Sequence, residues 1–274
     1  MQKDIITEKQ DLTYLSWTRT RNSSGTAGSF LKAYSELGGK KTYYKLSNYD
    51  NVRGVIGHEC VNELIVDRLL TILGVEHLHY QLIHADVLIQ ERRQEVFLCA
   101  SQDFKRQGES KVALDVYYDS EHQKGETPLD FCIRNGWADY LYTMFAVDYL
   151  ILNRDRHGAN IEVLRDSRNH SIRLAPLFDH GLSLLFNCLT DEQVTACDVM
   201  EDKLTNTWLG SRSTFENLKL IPAGQFPKLN QLLPAYKDIL MQDLEDVISQ
   251  NLQNKIWDMI LKRWYVYENI RNQE

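Results

Sequence analysis

The stretch YLILNRDRHGANIEVLRDSRNHSIRLAPLFDHGLSLLF, residues 149–186, constrains this chain most. It runs an apolar segment straight into Asn153-Arg154-Asp155-Arg156-His157-Gly158-Ala159-Asn160, then places Asp179 between LAPLF and HGLSLLF. A carboxylate set among apolar side chains is costly unless a partner offsets its charge. Any fold the chain adopts must therefore bring something cationic to Asp155 and Asp179. Surface salt bridges from Arg154 and Arg156 would satisfy Asp155 taken alone. They do not account for Asp179, nor for the offsets among Asp155, Asn160 and Asp179 around a predicted hairpin of IEVL and IRLAPLF.

The chain has 274 residues, room for one large domain or for two lobes around a cleft. Its net charge of −7 argues against a nucleic-acid binder, which needs a basic face for phosphates. No apolar run reaches the roughly 18–20 residues that span a bilayer, MFAVDYLILN being the nearest. MQKDIITEKQDLTYLSW is charged where a signal peptide is apolar, so a cytoplasmic location is expected. Five cysteines without a CxxC pair suit reduced, mostly buried thiols better than a disulfide framework or zinc site. In EHLHYQLIH, His77 and His79 face the same way on a strand and offer two metal ligands. Spacing fixes no third ligand, so they read as exposed strand histidines.

The first hundred residues read as β-rich with one helix. DLTYLSW, KTYYKLS, YQLIHADVLIQ and EVFLCAS have strand character, and TRTRNSSGTAGSF is a small-residue loop. GHECVNELIVDRLLTILG carries Val61, Leu64, Ile65, Leu69 and Ile72 at helical spacing and closes on Gly74. After residue 104 the character changes. LDFCIRNGWADYLYTMFAVDYLILN reads as a long buried helix, and DLEDVISQNLQNKIWDMILKRWYVYENI as an amphipathic one. The expected fold class is α+β: a β-rich lobe over 1–104, a mostly helical lobe over 105–274, and a hinge near SQDFKRQGES. A cleft between such lobes is a usual ligand site.

Asp155 and Asn160 stand five apart, the spacing of the kinase catalytic loop, in which the Asp accepts a hydroxyl proton and the Asn binds Mg²⁺. Asp179-His180-Gly181 has the outline of the Asp-Phe-Gly metal triplet. The set makes physical sense together. A transferring phosphoryl group is anionic, so nearby carboxylates need a bridging cation, and Mg²⁺ takes oxygen ligands. Asn160 and Asp179 are the candidate metal ligands and Asp155 the candidate base. No Walker A or Gly-x-Gly-x-x-Gly motif occurs, but NSSGTAGSFLK suits phosphates: Gly25 and Gly28 allow close approach, while Ser23, Ser24 and Thr26 bring hydroxyls. Lys45 is a charge inside a strand, as expected of a phosphate-holding lysine paired with a helix glutamate. Glu59 and Glu63, one turn apart, are both candidates for that pair.

NRDRHGAN followed by LAPLFDHGLSL, with VNELIVDRLLTILGV and SSGTAGSFLK, resembles the HipA-like serine/threonine kinases, in particular their short, CtkA-like members. The resemblance covers about residues 20–186. It implies a two-lobed protein-kinase-like fold and ATP contacts from Ser23, Ser24, Gly25, Thr26, Ala27 and Gly28, from Lys45, and from a hinge at Gln102-Asp103-Phe104. It also implies Glu63 as the partner of Lys45, Asp155 as proton acceptor, Asn160 and Asp179 as Mg²⁺ ligands, and His157 as a loop support through a hydrogen bond. A protein hydroxyl would be the acceptor, and Ser23 or Ser24 a site of autophosphorylation. The chain starts too close to its phosphate loop to hold the family's N-terminal subdomain, so an antitoxin-type partner does not carry over directly. The last hundred residues match no known pattern. DRHxxN is similar to phosphoinositide kinases as well, which makes a lipid substrate the alternative. A pseudokinase that kept the fold without turnover is the non-enzymatic one.

Overall fold

The structure, a computed structural model, describes residues 3–18 and 30–273. Its first half is built on strands β1 (Ile5–Asp11), β2 (Lys32–Leu37) and β3 (Lys40–Lys45), a short hairpin β4 (Tyr49–Asp50) and β5 (Gly54–Val55), and helix α1 (Glu59–Leu73). Strands β6 (Tyr80–Ile89) and β7 (Arg92–Gln102) follow. Among the described residues, five strands form a sheet in the order β1-β6-β7-β3-β2, antiparallel except for the β1/β6 pair.

The period-2 alternation of strand side chains sorts this sheet into two faces. On β6, Tyr80 and Leu82 turn toward α1, while Ile83, Ala85, Val87 and Ile89 join a second core on the other face. On β7, Cys99 takes the α1 side while Leu98 and Ala100 take the other. Lys45 pairs in register with Cys99 at the end of β3, and this brings a lysine against α1. The second core explains why DLTYLSW is not a strand. Beyond Asp11 the chain turns, with the Leu15 N–H on the Leu12 carbonyl, so that both leucines plug the sheet's far face. Residues packed on a core need not be extended to be apolar.

The rest is β8 (Glu109–Ala113), α2 (Leu114–Glu121), α3 (Pro128–Arg134), α4 (Ala138–Ile151), β9 (Asp155–Arg156), β10 (Glu162–Asp166), β11 (Ser171–Leu174), α5 (Asp191–Ala196), β12 (Asn206–Thr207), α6 (Thr214–Leu218), α7 (Lys237–Met241) and α8 (Gln250–Gln273). The segment expected as one long helix is two. Asn135-Gly136-Trp137 breaks it, with Gly136 at φ 75°, a left-handed conformation that glycine adopts without a steric penalty. The C-terminal amphipathic helix starts at Gln250, and Leu244 and Ile248 reach the core from the turn before it. Among the described residues no helix is long and apolar enough to cross a membrane.

Helix α1 is tied along its length. Arg68 donates to the carbonyls of Leu240 and Gln242 and forms a bidentate pair with Asp4. Asn62 donates to the carbonyls of Gly181 and Ser183, and Asn230 to those of Ile72 and Leu73. Buried residues of α1, α4 and α8 share one core with the α1 face of the sheet.

Candidate active site

Lys45 is the centre of the site. Its Nζ donates to Glu63 Oε1 at 2.8 Å and to Asp179 Oδ1 at 2.6 Å. Of the two candidate glutamates, the one brought to Lys45 is Glu63; Glu59 instead accepts the Asn48 N–H. Burial works against the Lys45 ammonium, but Asp179 and Glu63 outweigh it and hold its pKa well above the ordinary range. Burial pushes the Glu63 carboxyl up in spite of Lys45. The second Glu63 oxygen accepts the His180 N–H at 2.8 Å, which joins α1 to the Asp-His-Gly segment. Glycine at 181 lets the backbone pass close to this pair. A Cβ would come within 3.2 Å of Glu63 Oε1 and of Lys45 Nζ, so any side chain would press on the pair.

Asp179 itself sits at φ 58°, a region non-glycine residues rarely occupy. Its N–H meets the Tyr80 hydroxyl at 3.2 Å, and its other carboxylate oxygen lies 3.8 Å from Lys32 Nζ. The substitution of His for Phe in the triplet also has a cost. His180 is buried and its Nε2 finds no hydrogen-bond partner among the described residues; the same holds for His58 before α1. Burial, with Arg156 and His77 nearby, pushes His180 well below its ordinary range, and burial pushes His58 down to about 4.

Both histidines are thus neutral in the folded chain and protonate on unfolding. A histidine with depressed folded pKa stabilises above about pH 6.5 and loses that contribution as pH falls. Two such groups give a slope approaching about 2.7 kcal/mol per pH unit between about pH 5.5 and 4.5, where the unfolded rings are protonated and the folded ones are not. The urea midpoint is expected to drop steeply between pH 7 and pH 5, and a flat profile would contradict the neutral assignment.

The 153–160 loop is organised by Arg156, which is buried and not on the surface. Its guanidinium donates to Asp148 at the end of α4 (2.8 and 3.0 Å), and through Nη1 to the Asn160 and Phe178 carbonyls, each at 3.1 Å. One side chain therefore holds the loop and the residue before Asp179 side by side. Asn153 completes this base, donating to Asp148 and accepting the Asp155 N–H. The salt bridge from Arg156 to Asp155, open on the sequence, is replaced by this Asp148 pair; Arg154 donates to the Leu204 carbonyl.

Asn160 is buried, and its amide nitrogen donates to the Asp155 carbonyl at 2.7 Å. The Asp155 side chain is 26% exposed, accessible to an incoming group. His157 Nε2 stands 3.6 Å from Asp155 Oδ2. Asp155 is also held by a residue that spacing could not show. Asn206, on β12 paired with β9, donates to Asp155 Oδ1 at 2.9 Å. Solvent reaches this bond, so it is worth about 1 kcal/mol. If Asp155 is the base, Asn206→Ala is expected to lower turnover roughly fivefold with little change in the KM for nucleotide, read from initial rates.

A cleft of 590 Å³ opens beside Lys45 and Asp179. Tyr43, Leu78, Phe104 and Phe178 are among its walls, and Phe104 and Phe178 lie 5.5 Å apart. Asp103 and Phe104 line it, Asp103 bonded to Lys111 at 2.8 Å; Gln102 does not line it, its side chain being exposed and bonded to Thr42. Ala159 reaches the cleft, while Asp155 and Asn160 lie outside its lining. Ser23, Ser24, Gly25, Thr26, Ala27 and Gly28 fall outside the described residues.

A sheet backed by one helix, the Lys–Glu–Asp contact and the loop below it define a two-lobed, protein-kinase-like fold. The structure is similar to that of the Helicobacter pylori proinflammatory kinase CtkA, with a TM-score of 0.62 and 14% identity over 97% of this chain and 99% of that one. It also aligns with the Shewanella oneidensis MR-1 toxin–antitoxin complex of HipA, HipB and operator DNA (TM-score 0.47, 14% identity, 93% of this chain and 68% of that one). No family model matches the sequence, and no curated protein matches it.

Proposed function

We propose that the chain is an ATP- and Mg²⁺-dependent serine/threonine protein kinase of the HipA-like type. The observation that carries this reading is a buried ammonium, Lys45, clamped between Glu63 and Asp179 in the wall of a nucleotide-sized cleft. A lysine so fixed presents a charge to phosphate oxygens without having to reorganise. Tyr43, Leu78, Phe104 and Phe178 give flat apolar surfaces suited to a base, and Asp103 and Phe104 lie where the strand leaves the sheet.

The donor chemistry fits a magnesium nucleotide. Asp179 contributes a carboxylate held by backbone strain and two backbone anchors. Asn160, held in the loop by its bond to the Asp155 carbonyl, carries the carboxamide oxygen that is the candidate cation donor. Both are the hard oxygen ligands Mg²⁺ selects. When bound, the metal supplies neutralisation of the charge on the transferred phosphoryl group. The chain's own residues do the rest: Lys45 holds phosphate, Asp155 orients the acceptor hydroxyl and accepts its proton, and Arg156 keeps the loop and Asp179 in register.

The test is incubation with labelled ATP, Mg²⁺, a mixed protein acceptor and phosphoinositide vesicles. Label on protein hydroxyls, abolished by removing Mg²⁺, is expected. Label confined to the vesicles would establish the lipid reading. A rise in Tm with ATP and Mg²⁺ but no transfer to any acceptor would leave a pseudokinase.

A further inference from the structure

His77 and His79 lack a third metal ligand fixed by spacing, and the fold provides one from the preceding helix. Asp67, in the middle of α1, places Oδ1 2.8 Å from His77 Nε2 and 3.0 Å from His79 Nδ1. The three ligand atoms lie within 4.8 Å of one another.

The hydrogen bonding around them is that of a ligand set. His77 Nδ1 is 2.7 Å from the Val75 carbonyl. A carbonyl has no proton to give, so Nδ1 carries the hydrogen, and in the neutral form of the ring Nε2 turns a bare lone pair toward the Asp67 carboxylate. Two lone pairs at that separation repel unless a positive charge stands between them, either a second proton on the ring or a metal ion. A backbone carbonyl fixing the far nitrogen is the usual outer support of a metal-bound histidine. The other Asp67 oxygen accepts the Tyr80 N–H, so the carboxylate is oriented as well. His77 and Asp67 are buried, whereas the His79 side chain is 74% exposed. That side leaves an entry path and room for a water as fourth ligand.

We propose that Asp67, His77 and His79 form a binding site for a zinc-type transition-metal ion, separate from the cleft. Two imidazoles with one carboxylate select Zn²⁺ or Co²⁺ over Mg²⁺, which prefers oxygen alone. With metal–ligand bonds of about 2.0–2.2 Å the ligand atoms stand about 3.3 Å apart, so the two Asp67–histidine distances open by a few tenths of an ångström, and the exposed His79 ring can move to allow it. The ion would brace the segment that carries Asp179. His77 bridges to Leu177, the Leu78 N–H binds the Leu177 carbonyl at 2.8 Å, and Tyr80 meets the Asp179 N–H.

The experiment uses the full chain without an affinity tag, stripped with a chelator and kept in excess Mg²⁺ to fill all-oxygen sites. Co²⁺ serves as the optical probe. One equivalent is expected to give the intense visible bands of a four-coordinate site, to be displaced by Zn²⁺, and Zn²⁺ alone to raise the Tm. His79→Ala removes a mostly exposed ring, so the fold is kept. It should abolish the bands and weaken Zn²⁺ binding by at least roughly 100-fold, while Asp179→Asn leaves both unchanged. Absence of the bands in the native chain, or equal bands and equal Tm rise in His79→Ala, would overturn the site.

Discussion

Asp155→Asn is expected to slow phosphate transfer by roughly 10²- to 10⁴-fold, the usual contribution of a positioned general base, and to leave nucleotide binding as it was. The substitution is nearly isosteric and keeps an oxygen for the Asn206 amide, so the β9–β12 pairing survives. The loop below also survives, because Asn153 and Asn160 engage the Asp155 backbone and not its carboxylate. What is lost is the negative charge that, in the proposed role, orients the acceptor hydroxyl and takes its proton. Initial rates of label transfer, set beside nucleotide binding followed by Tm shift, separate the two effects. Transfer equal to that of the native chain would remove Asp155 from the proposed role.

Arg156→Met carries the largest expected loss of stability, about 3–5 kcal/mol, because it strands the buried Asp148 carboxylate. Burial alone would lower the Arg156 pKa, but Asp148 more than reverses this and holds it well above the ordinary range. Urea unfolding reads the loss directly. The double variant Arg156→Met/Asp148→Leu should recover most of it, since a buried ion pair replaced by apolar groups of similar volume is close to neutral. Transfer activity should stay low in the double variant. The Asn160 and Phe178 carbonyls still lack their shared donor, and the loop is no longer tied to the Asp179 segment. Full recovery of both would show that Arg156 has only a packing role.

Most of the framework was legible in the sequence because it is local. The α1 helix declared itself by 3.6-residue spacing and Gly74, and KTYYKLS, YQLIHADVLIQ and EVFLCAS by strand-type residues; the structure has β3, β6, β7 and the β10–β11 hairpin at those places. DLTYLSW failed because apolar residues that plug a core through a turn have the same composition as a strand. The break at Gly136 was hidden by apolar residues on both sides, which mimic a continuous helix. In the candidate site, Lys45, Asp155, Asn160 and Asp179 could be picked out because each is a polar residue at a recognisable offset, whereas spacing left Glu63 level with Glu59 and only the resemblance favoured it. Asn206 and Asp67 could not. Their partners lie 51 residues away for Asn206 and 10 and 12 for Asp67, and only the fold brings them together. Asp148 was missed for another reason. It reads as one charge in an apolar helix, and its meaning depends on Arg156 folding back over the helix end.

The attachments along α1 close off one form of control. Swinging the helix away to separate Lys45 from Glu63 would take donors from six carbonyl oxygens, those of Leu240, Gln242, Gly181, Ser183, Ile72 and Leu73. At about 1 kcal/mol each the displaced form stands roughly 6 kcal/mol uphill, populated by fewer than about one molecule in a thousand. Silencing this protein therefore falls to whatever blocks or chemically alters the cleft beside Lys45, and the posture of a helix is not available as the dial.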